Sequence, residues 1–359
     1  MGWPKGSTAW PPRSLNEAEP VLIDPTCDAL LESNSRSFFL TLKVLPSKMR
    51  RSVGLLYLLA RVADTIADSK TGEVQILLDG LEAWDAATDE RQGKVPDLSH
   101  LASLQAKDAE RELLEKASLA VDALGTTSPA DVQMIRTCLN IIIGGQTLDL
   151  ERFGPSNDKD EISGLPDDEA LDDYAYRVAG SVGEFWTDMS RHHMFPNRMD
   201  MHDEAWMAEG IRFGKALQLT NILRDIPEDL RFGRCYVPLT RLEAVGLTKE
   251  DLRDPTSMTA FQPVYNDLLD MTDAHFEAAV RYVLRLPGQS RRLRIACMLP
   301  IIIGQRTVDL LRTSNVLDPT DRVKVDRAEI KRILRRCLVA TMVPGGTKRA
   351  LTALRPELR

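Results

Sequence analysis

Residues 57–68 read YLLARVADTIAD, a run in which apolar side chains return at the period of an α-helix. Two carboxylates of this run, Asp64 and Asp68, lie four residues apart. On a helix this spacing places both on one face, roughly 6 Å apart along the axis. Arg61 lies three residues before Asp64, on the same side. Because like charges repel at this distance, the pattern predicts a helix whose acidic face receives a cation.

A second acidic stretch begins at Gln218 and reads QLTNILRDIPED. Asn221, Asp225 and Asp229 follow one another at intervals of four residues, so a helix would align their oxygen atoms along one ridge. Apolar residues fill most of the positions between them, and carboxylates on an apolar helix are costly to bury without a cation. Pro227 has no backbone N–H, so we expect a bend inside this stretch.

The oxygen atoms of both stretches suit magnesium, which is commonly bound by one or two carboxylates together with phosphate oxygens. Two such helices could grip a diphosphate from both sides and offset the charge that develops as it leaves. A single pair of aspartates on a helix is more often a solvated surface. Two pairs on apolar helices, each beside an arginine, favour a site for metal and diphosphate, and the spacing alone supports nothing further.

The composition is that of an ordinary globular protein, with 43% apolar and 28% charged residues in 359. The net charge of −7 argues against a general nucleic-acid binder. Five scattered cysteines without a CxxC pair favour a reducing compartment over a disulfide framework or a zinc site. We find no secretory signal and no membrane-spanning run, so we expect a cytoplasmic protein and leave peripheral membrane contact open.

Helical periodicity dominates from Asp24 onward, and the alternating patterns of strands are absent from the sequence. We expect one all-α domain over residues 24–345, as a monomer or weak homo-oligomer. A flexible leader (1–23) would precede it and a C-terminal tail (346–359) would follow. The polar stretch 87–100 predicts a surface loop. Predicted helices cover residues 25–34, 47–68, 72–86, 106–124, 128–153, 167–194, 200–230, 257–285, 289–313 and 327–341.

Four motifs follow one another along the chain. They are Asn34-Ser-Arg-Ser-Phe38, Tyr57 to Asp68, Tyr174 to Gly183, and Gln218 to Asp229. In their order and internal spacing the chain resembles the squalene/phytoene synthase family over roughly residues 27–340. The resemblance implies an isoprenoid-synthase helical bundle around a central cavity. Residues 293–307 are similar to segments that line the lower part of that cavity, although core packing is the simpler explanation for residues 301–303.

Members of this family join two prenyl diphosphates head to head, and the resemblance implies that reaction here. Two farnesyl diphosphates would combine through presqualene diphosphate to squalene, with Mg²⁺ for ionisation and NADPH for reduction. Two alternatives are phytoene synthesis from geranylgeranyl diphosphate and arrest at presqualene diphosphate, since no GxGxxG nucleotide motif is present.

Two further alternatives belong to other classes of protein. A non-catalytic scaffold is one, although scaffold members of the family lack intact metal motifs and both motifs are intact here. A metal hydrolase at the dipeptide His202-Asp203, near His192 and His193, is the other. The chain has only five histidines, which argues against such a site.

The resemblance assigns a set of oxygen-bearing side chains to magnesium. They are Asp64, Asp68, Asn221, Asp225, Glu228 and Asp229. A second set would bind the diphosphates or support the phosphates and carboxylates: Ser35, Arg36, Ser37, Arg61, Gln218, Asn221, Arg224 and Arg234. Ser35 and Ser37 have a plainer alternative role in capping a turn.

Three tyrosines complete the catalytic residues that the resemblance implies. Tyr57 and Tyr174 would line the ionisation site, with Tyr174 the better candidate for proton transfer or for assisting the leaving group. Segment 231–238 resembles the family's flexible flap, in which Arg234 and Tyr236 would close over diphosphate and exclude water. The simpler alternatives are an ordinary half-buried tyrosine at position 57 and a plain surface turn at 231–238.

Overall fold

The computed structural model describes most of the chain, namely residues 23–35, 37–70, 73–89 and 94–354, without the side chains of Ser37 and Leu40. Arg36 and nearly all of the predicted leader therefore lie outside the described residues. The last residue of the leader, Ile23, is buried in the core.

Seventeen α-helices and two short strands make up the regular structure of the described residues, apart from a few short helical turns. The first helices are α1 (Pro25–Ser35), α2 (Ser37–Val44), α3 (Ser47–Ala67), α4 (Val74–Thr88), α5 (Ser99–Ser103), α6 (Asp108–Glu115), α7 (Ser118–Gly125) and α8 (Pro129–Phe153). The others are α9 (Asp168–Ala175), α10 (Ser181–Met194), α11 (Glu204–Arg224), α12 (Ile226–Arg231), α13 (Leu239–Glu243), α14 (Met258–Arg285), α15 (Arg291–Leu311), α16 (Arg327–Ala340) and α17 (Gly346–Leu351). The strands are β1 (Ser163–Gly164) and β2 (Arg234–Cys235). The predicted all-α class is confirmed.

Four predicted segments are divided differently in the structure. The predicted helix 200–230 is two helices, α11 and α12, with Asp225 between them. The predicted helix 106–124 is two helices, because α6 packs beside α1 and α5 whereas α7 packs beside α3 and α4. The predicted helix 167–194 contains a π-helical turn at Tyr176–Gly180, which joins α9 to α10. The predicted loop 87–100 holds the end of α4 and the start of α5. These divisions depend on tertiary contacts, which periodicity does not record.

Helix α8 shows how local sequence signals set the ends of a long element. The Ser128 side chain accepts a hydrogen bond from the backbone N–H of Asp131 at 3.2 Å, and Pro129 occupies the first turn. Both features are typical of a helix start. Gly154 ends the helix with φ +68°, a left-handed conformation that glycine adopts without strain. The helix therefore spans 25 residues and carries side chains into the site at its far end.

The core lies between the long helices. Helix α11 packs along α14 and α10, while α3 packs along α8. A side chain at Gly183 would collide with the backbone carbonyl of Gly210, so the two glycines allow α10 and α11 to approach closely. One continuous cluster of buried apolar side chains extends from Ile23 to Leu351.

The predicted C-terminal tail begins with an ordered helix. Helix α17 packs against α14, α15 and α16, and its Leu351 is fully buried. The short length of this segment hid its amphipathic pattern from periodicity analysis. Across the described ranges, none of the helices combines the length and the apolar character that crossing a bilayer requires.

Candidate active site

The two acidic stretches face each other across a cavity of about 680 Å³. Asp64 lies on the last turn of α3 and Asp68 directly follows that helix, and the second stretch lies on α11 and α12. Most of the predicted site residues line this polar cavity: Arg61, Asp64, Asp68, Tyr174, Gln218, Asn221, Asp225, Glu228, Asp229, Arg234 and Tyr236. The fold thus brings together motifs that are more than 100 residues apart in the chain.

The second acidic stretch contains a break between two helices. Helix α11 ends at Arg224, and α12 begins at Ile226 with Pro227 in its first turn. Proline is tolerated there because the N–H it lacks would have no partner within the helix. The predicted bend at Pro227 is therefore confirmed, and Asp229 lies on α12 rather than on the helix that carries Asn221.

Asp64 lies deep in the wall of the polar cavity. Its carboxylate accepts a hydrogen bond from the Gln146 side chain and lies 3.8 Å from a guanidinium nitrogen of Arg61. Burial raises the pKa of Asp64 to about 6, and the charge of Asp68 raises it further against the opposing effect of Arg61. Although 44% of the side-chain surface is open to the cavity, the surrounding protein displaces most of the bulk water that would stabilise the charge.

Another carboxylate, the buried Asp149 on α8, lies in the same wall. Tyr236 Oη donates to Asp149 Oδ2 at 2.7 Å, and Tyr174 Oη donates to Tyr236 Oη at 3.3 Å. Burial raises the pKa of Asp149 to about 6, although Arg234 lowers it in part. Burial also raises the pKa values of both tyrosines well above the ordinary value. Both hydroxyls are thus held as neutral donors in a chain that ends on a carboxylate.

Arg234 links this chain to the first acidic stretch. One of its nitrogens lies 3.5 Å from Asp149 Oδ2, and another donates to Ser156 Oγ at 2.6 Å. Ser156 Oγ in turn donates to Asp68 Oδ1 at 3.3 Å. The guanidinium therefore contacts Asp149 on α8 directly and, through the Ser156 hydroxyl, Asp68 at the end of α3.

Segment 231–238 is not a plain surface turn. Strand β2 pairs in parallel with β1, and the N–H of Ser163 donates to the carbonyl of Gly233 at 2.9 Å. Gly233 has φ +73°, which places the chain so that Tyr236 enters the interior with 6% of its surface exposed. Backbone hydrogen bonds to β1 and Leu165 hold the segment in place, and its Arg234 and Tyr236 line the cavity.

The opposite wall is already partly neutralised by arginines. Asp225 accepts two hydrogen bonds from Arg224, at 2.9 and 2.6 Å, and one from Arg322 at 2.7 Å. Arg322 also lies 3.0 Å from Glu228. Burial raises the pKa of Asp225, but the two arginines outweigh it and hold the pKa below the usual range. Asp229 has no such partner in the described residues, and burial together with Asp225 raises its pKa well above the ordinary value.

An apolar cavity of about 300 Å³ adjoins the polar one. Val178, in the π-helical turn, lines both cavities. The walls come from α2, α10, α11, α14 and α15 and include Phe38, Val182, Trp186, Phe213, Leu217, Pro300 and Ile303. Ile301 and Ile302 lie in the core instead, as the packing explanation predicted. The paired cavities can hold a molecule with a charged head and a long apolar chain.

Some predicted site residues lie away from the polar cavity. Tyr57 stacks on Phe38 at 4.6 Å, and its hydroxyl donates to the backbone carbonyl of Asn34 at 3.3 Å. Arg224 does not line the polar cavity but a neighbouring pocket, which shares Asp225 and Glu228 with it. The buried Ser35 ends α1 without a hydrogen-bond partner for its hydroxyl among the described residues. Arg36 and the side chain of Ser37, which belong to the same motif, lie outside the described residues.

Gln146, Asp149 and Ser156 are functional candidates that the sequence interpretation missed. Gln146 and Asp149 stand three residues apart on a largely apolar part of α8, the same kind of signal that revealed the other acidic motifs. Ser156 lies in a loop and has no pattern of its own. Its place next to Asp68 depends on the turn after Gly154.

The His202-Asp203 dipeptide makes hydrogen bonds within the fold, whereas His192 and His193 lie beside Asp131, with their ligating atoms within 4.8 Å of one another. His202 bonds the backbone carbonyl of Phe195 at 3.2 Å, and Asp203 caps the start of α11. His193 bonds Asp131 at 2.8 Å, and Asp131 also accepts from Ser52. This network ties α3, α8 and α10 together at a distance from the acidic stretches.

The polar cavity contains four buried atoms that lack a hydrogen-bond partner among the described residues. They are Nε of Arg61, Oε1 of Gln146, Oδ1 of Asp149 and Nε of Arg234. Unpaired buried polar atoms are costly, and such groups are normally satisfied by water, an ion or a ligand. The two guanidinium N–H groups could donate hydrogen bonds to anionic oxygens, and the two oxygen atoms could bind cations. The four atoms therefore fit a ligand that brings both anionic oxygens and cations. The oxygen-only set of Asp64, Asp68, Asn221, Asp225, Glu228 and Asp229 fits a hard divalent cation.

A helical bundle in which carboxylates face a polar cavity with an apolar cavity beside it can accommodate a molecule with an apolar chain and an anionic head. The sequence profile of the squalene/phytoene synthase family matches residues 31–329, and the chain belongs to that family. The 15-cis-phytoene synthase of Enterobacter agglomerans is 28% identical over 72% of this chain and 77% of its own length. The presqualene diphosphate synthase of Rhodopseudomonas palustris is 30% identical over 70% of this chain and 75% of its own length.

Other relatives are longer, and solved structures share the fold. The chain spans 43% of the bifunctional lycopene cyclase/phytoene synthase of Neurospora crassa, with 29% identity. A ligand complex of TcSQS superposes with a TM-score of 0.75 at 20% identity, over 93% of this chain and 90% of that one. Squalene synthase HpnC from Alicyclobacillus acidocaldarius superposes with a TM-score of 0.57 at 20% identity, over 81% of this chain and 93% of that one. These similarities confirm the predicted isoprenoid-synthase fold.

Proposed function

We propose that this protein joins two farnesyl diphosphates head to head through presqualene diphosphate to squalene. The observation that carries the proposal is the pairing of the two cavities. Carboxylates from α3, α11 and α12 face one polar chamber, and an apolar chamber adjoins it at Val178. This arrangement suits a substrate whose diphosphate must leave while its apolar chain stays shielded from water.

The donor set supports magnesium as the cofactor. When bound, Mg²⁺ supplies positive charge that offsets the charge developing on the leaving diphosphate. Asp64 and Asp68 would hold it on one wall and Asn221, Asp225, Glu228 and Asp229 on the other. Burial and a neighbouring aspartate raise the pKa values of Asp64 and Asp229, because both disfavour the charged carboxylate. A bound divalent cation would stabilise the charged form.

Two arginines are suited to bind the diphosphate itself. Arg61 and Arg234 both line the cavity, and the Nε atom of each is buried without a partner in the described residues. A guanidinium can offer two parallel N–H donors to phosphate oxygens. Gln218 would support the ligand from α11, where it lines the same cavity.

The hydrogen-bonded chain of Tyr174, Tyr236 and Asp149 would transfer a proton near the reacting carbons. Tyr174 donates to Tyr236, which donates to Asp149, so a proton released at Tyr174 Oη has a continuous path to a carboxylate. Because burial keeps both phenols neutral, Tyr174 is suited to donate a hydrogen bond to a leaving oxygen. The stacked rings, 4.7 Å apart, also offer an aromatic face to a carbocation.

The final product is the finer part of the proposal. Reduction to squalene would need NADPH, whereas presqualene diphosphate and phytoene need no reductant. The relatives named as phytoene synthases and as presqualene diphosphate synthases support both as alternatives, at nearly equal identity.

The deciding experiment is incubation of the purified protein with farnesyl or geranylgeranyl diphosphate and Mg²⁺, with and without NADPH. Squalene formed only with NADPH supports the proposal. Presqualene diphosphate in both conditions would identify an enzyme that stops before reduction, and phytoene from the longer substrate would overturn the choice of substrate. Absence of every coupled product would contradict the head-to-head reaction itself.

A further inference from the structure

The end of α16 and the turn after it expose apolar side chains to solvent. Val339, Met342 and Val343 are 62%, 66% and 44% exposed, and Pro344 beside them is exposed as well. We call these four residues the apolar tip. Scattered exposed apolar residues are ordinary, but a contiguous group marks a contact surface.

Basic residues flank the apolar tip on both sides along the chain. Residues 327–354 contain seven Lys or Arg and one acidic residue, although the whole chain has 46 Lys or Arg against 53 Asp or Glu. The single acid, Glu329, is paired with Arg306 of α15 at 2.8 Å. The basic rim consists of the exposed residues Arg327, Lys331, Arg332, Arg335, Arg336, Lys348 and Arg349. Within the described residues, none of the rim is paired with a carboxylate.

The helical register places both kinds of side chain on one outward face. Lys331, Arg335 and Val339 follow at intervals of four residues, so they lie along one side of α16, and Met342 lies in the turn just after the helix. The other side of α16 is buried, with Cys337 fully covered and the helix packed against α15. The outward face is therefore held rigidly by the fold and has no partner in the described part of the chain.

We propose that the apolar tip and basic rim dock the protein on the surface of an anionic phospholipid bilayer. Apolar side chains surrounded by Lys and Arg are the pattern of interfacial membrane contacts, in which the apolar groups enter the acyl boundary and the cations meet the headgroups. Charge complementarity selects an anionic surface, because this face is basic in a chain whose net charge is −7. A purely electrostatic partner would leave the apolar tip without a role.

The position of the surface links it to the cavities. Helix α16 packs against α15, and α15 contributes Pro300 and Ile303 to the apolar cavity. Docking would thus bring the bilayer next to a helix that contacts the hydrocarbon chain. This consequence rests on the proposed function, whereas the docking itself does not.

Sedimentation with lipid vesicles tests the inference on the full chain without any prenyl substrate. The vesicles are phosphatidylcholine alone or phosphatidylcholine with phosphatidylglycerol. We expect binding only to the anionic vesicles, weakened by added salt because exposed charges are screened. The double variant K331Q/R335Q should bind at least about tenfold more weakly, since each basic residue near such a surface contributes roughly fivefold.

Matched variants separate this surface from general charge and hydrophobicity. The apolar variant V339S/M342S/V343S should also lose binding, while M199S, which changes a side chain that is 81% exposed elsewhere, should not. The double variant K48Q/K94Q removes two exposed charges outside the surface and should bind as the original protein does. Circular dichroism on each variant verifies the fold.

Four results would overturn the docking surface. One is failure of the original protein to bind anionic vesicles, and another is equal binding by all variants. Loss of binding in the glutamine variant but not in the serine variant would indicate a simple polyanion site. A dimer by light scattering that the serine variant dissociates would instead assign the patch to a second copy of this chain.

Discussion

Tyr236 Oη donates a 2.7 Å hydrogen bond to Asp149 Oδ2, and this contact joins the segment after α12 to the middle of the site wall. The two residues are 87 positions apart, and neither belongs to the acidic motifs. The bond holds Tyr236 under Tyr174, with the rings stacked 4.7 Å apart. It therefore positions the only carboxylate-linked pair of phenols that we find among the described residues of the polar cavity.

Replacing Tyr236 with phenylalanine should lower the turnover of the condensation about a hundredfold, because proton transfer and hydrogen-bond support of this kind contribute on that scale. Loss of the bond should also raise the pKa of Asp149 further, since Tyr236 lowers it. Steady-state kinetics with the prenyl diphosphate measure the effect.

Tyr57 provides the matched control for that variant. Its hydroxyl bonds only the backbone carbonyl of Asn34, so Tyr57→Phe should change turnover by less than about threefold. A large loss in Tyr57→Phe together with an intact Tyr236→Phe would reverse the roles that the geometry supports.

Binding of Mg²⁺ should depend on pH around the raised pKa of Asp64, about 6. Below that pH a proton occupies the carboxylate and must leave before a cation binds. Apparent affinity should therefore rise about tenfold per pH unit up to about pH 6 and level off above it. Calorimetric titration with Mg²⁺ and inorganic diphosphate at several pH values measures this, and affinity that does not change between about pH 5 and 7 would contradict it.

The same shift has a consequence for the stability of the metal-free protein. The folded Asp64 holds its proton up to about pH 6, whereas the unfolded residue loses it near the ordinary value of 3.8. The folded state thus binds more protons in this window, and the contribution of Asp64 to the free energy of unfolding should fall as pH rises through it. In Asp64→Asn that part of the pH dependence should vanish, which denaturant unfolding across the window can detect.

Arg322 competes with a cation for the second acidic stretch, because it pairs with both Asp225 and Glu228. The variant Arg322→Gln should bind Mg²⁺ alone about three- to tenfold more tightly, since the cation no longer displaces an ion pair. Calorimetric titration measures the change. Arg312→Gln, which removes pairs with Asp270 and Asp273 instead, should leave the affinity unaltered. Weaker binding in Arg322→Gln would show that this arginine supports the metal site rather than competing with it.

Leu351 should be essential to stability although it lies in the predicted tail. Its side chain is fully buried, and Leu→Ala changes at such sites cost about 2–5 kcal/mol in the free energy of unfolding. Chemical denaturation of Leu351→Ala measures the loss. Met342→Ala, at a position that is 66% exposed, should cost less than about 0.5 kcal/mol. Equal stability of the two variants would mean that α17 is not part of the cooperative fold.

The sequence by itself determined the helical class and the two acidic stretches. Both follow from spacing along one helix, because residues four apart share a face whatever the rest of the chain does. The bend at Pro227 was equally local, since proline removes a backbone donor wherever it stands. The order of the motifs also indicated the family that the profile then matched.

Only the tertiary structure decided which residues meet. Gln146 and Asp149 enter the cavity because α8 packs along α3, and Tyr236 enters it because β2 pairs with β1. Tyr57 lies on nearly the same face of α3 as Asp64, because seven residues rotate a helix nearly two full turns, but it stands two turns earlier and stacks on Phe38 of α2. Contacts between distant segments depend on how helices pack, and helical periodicity carries no information about them.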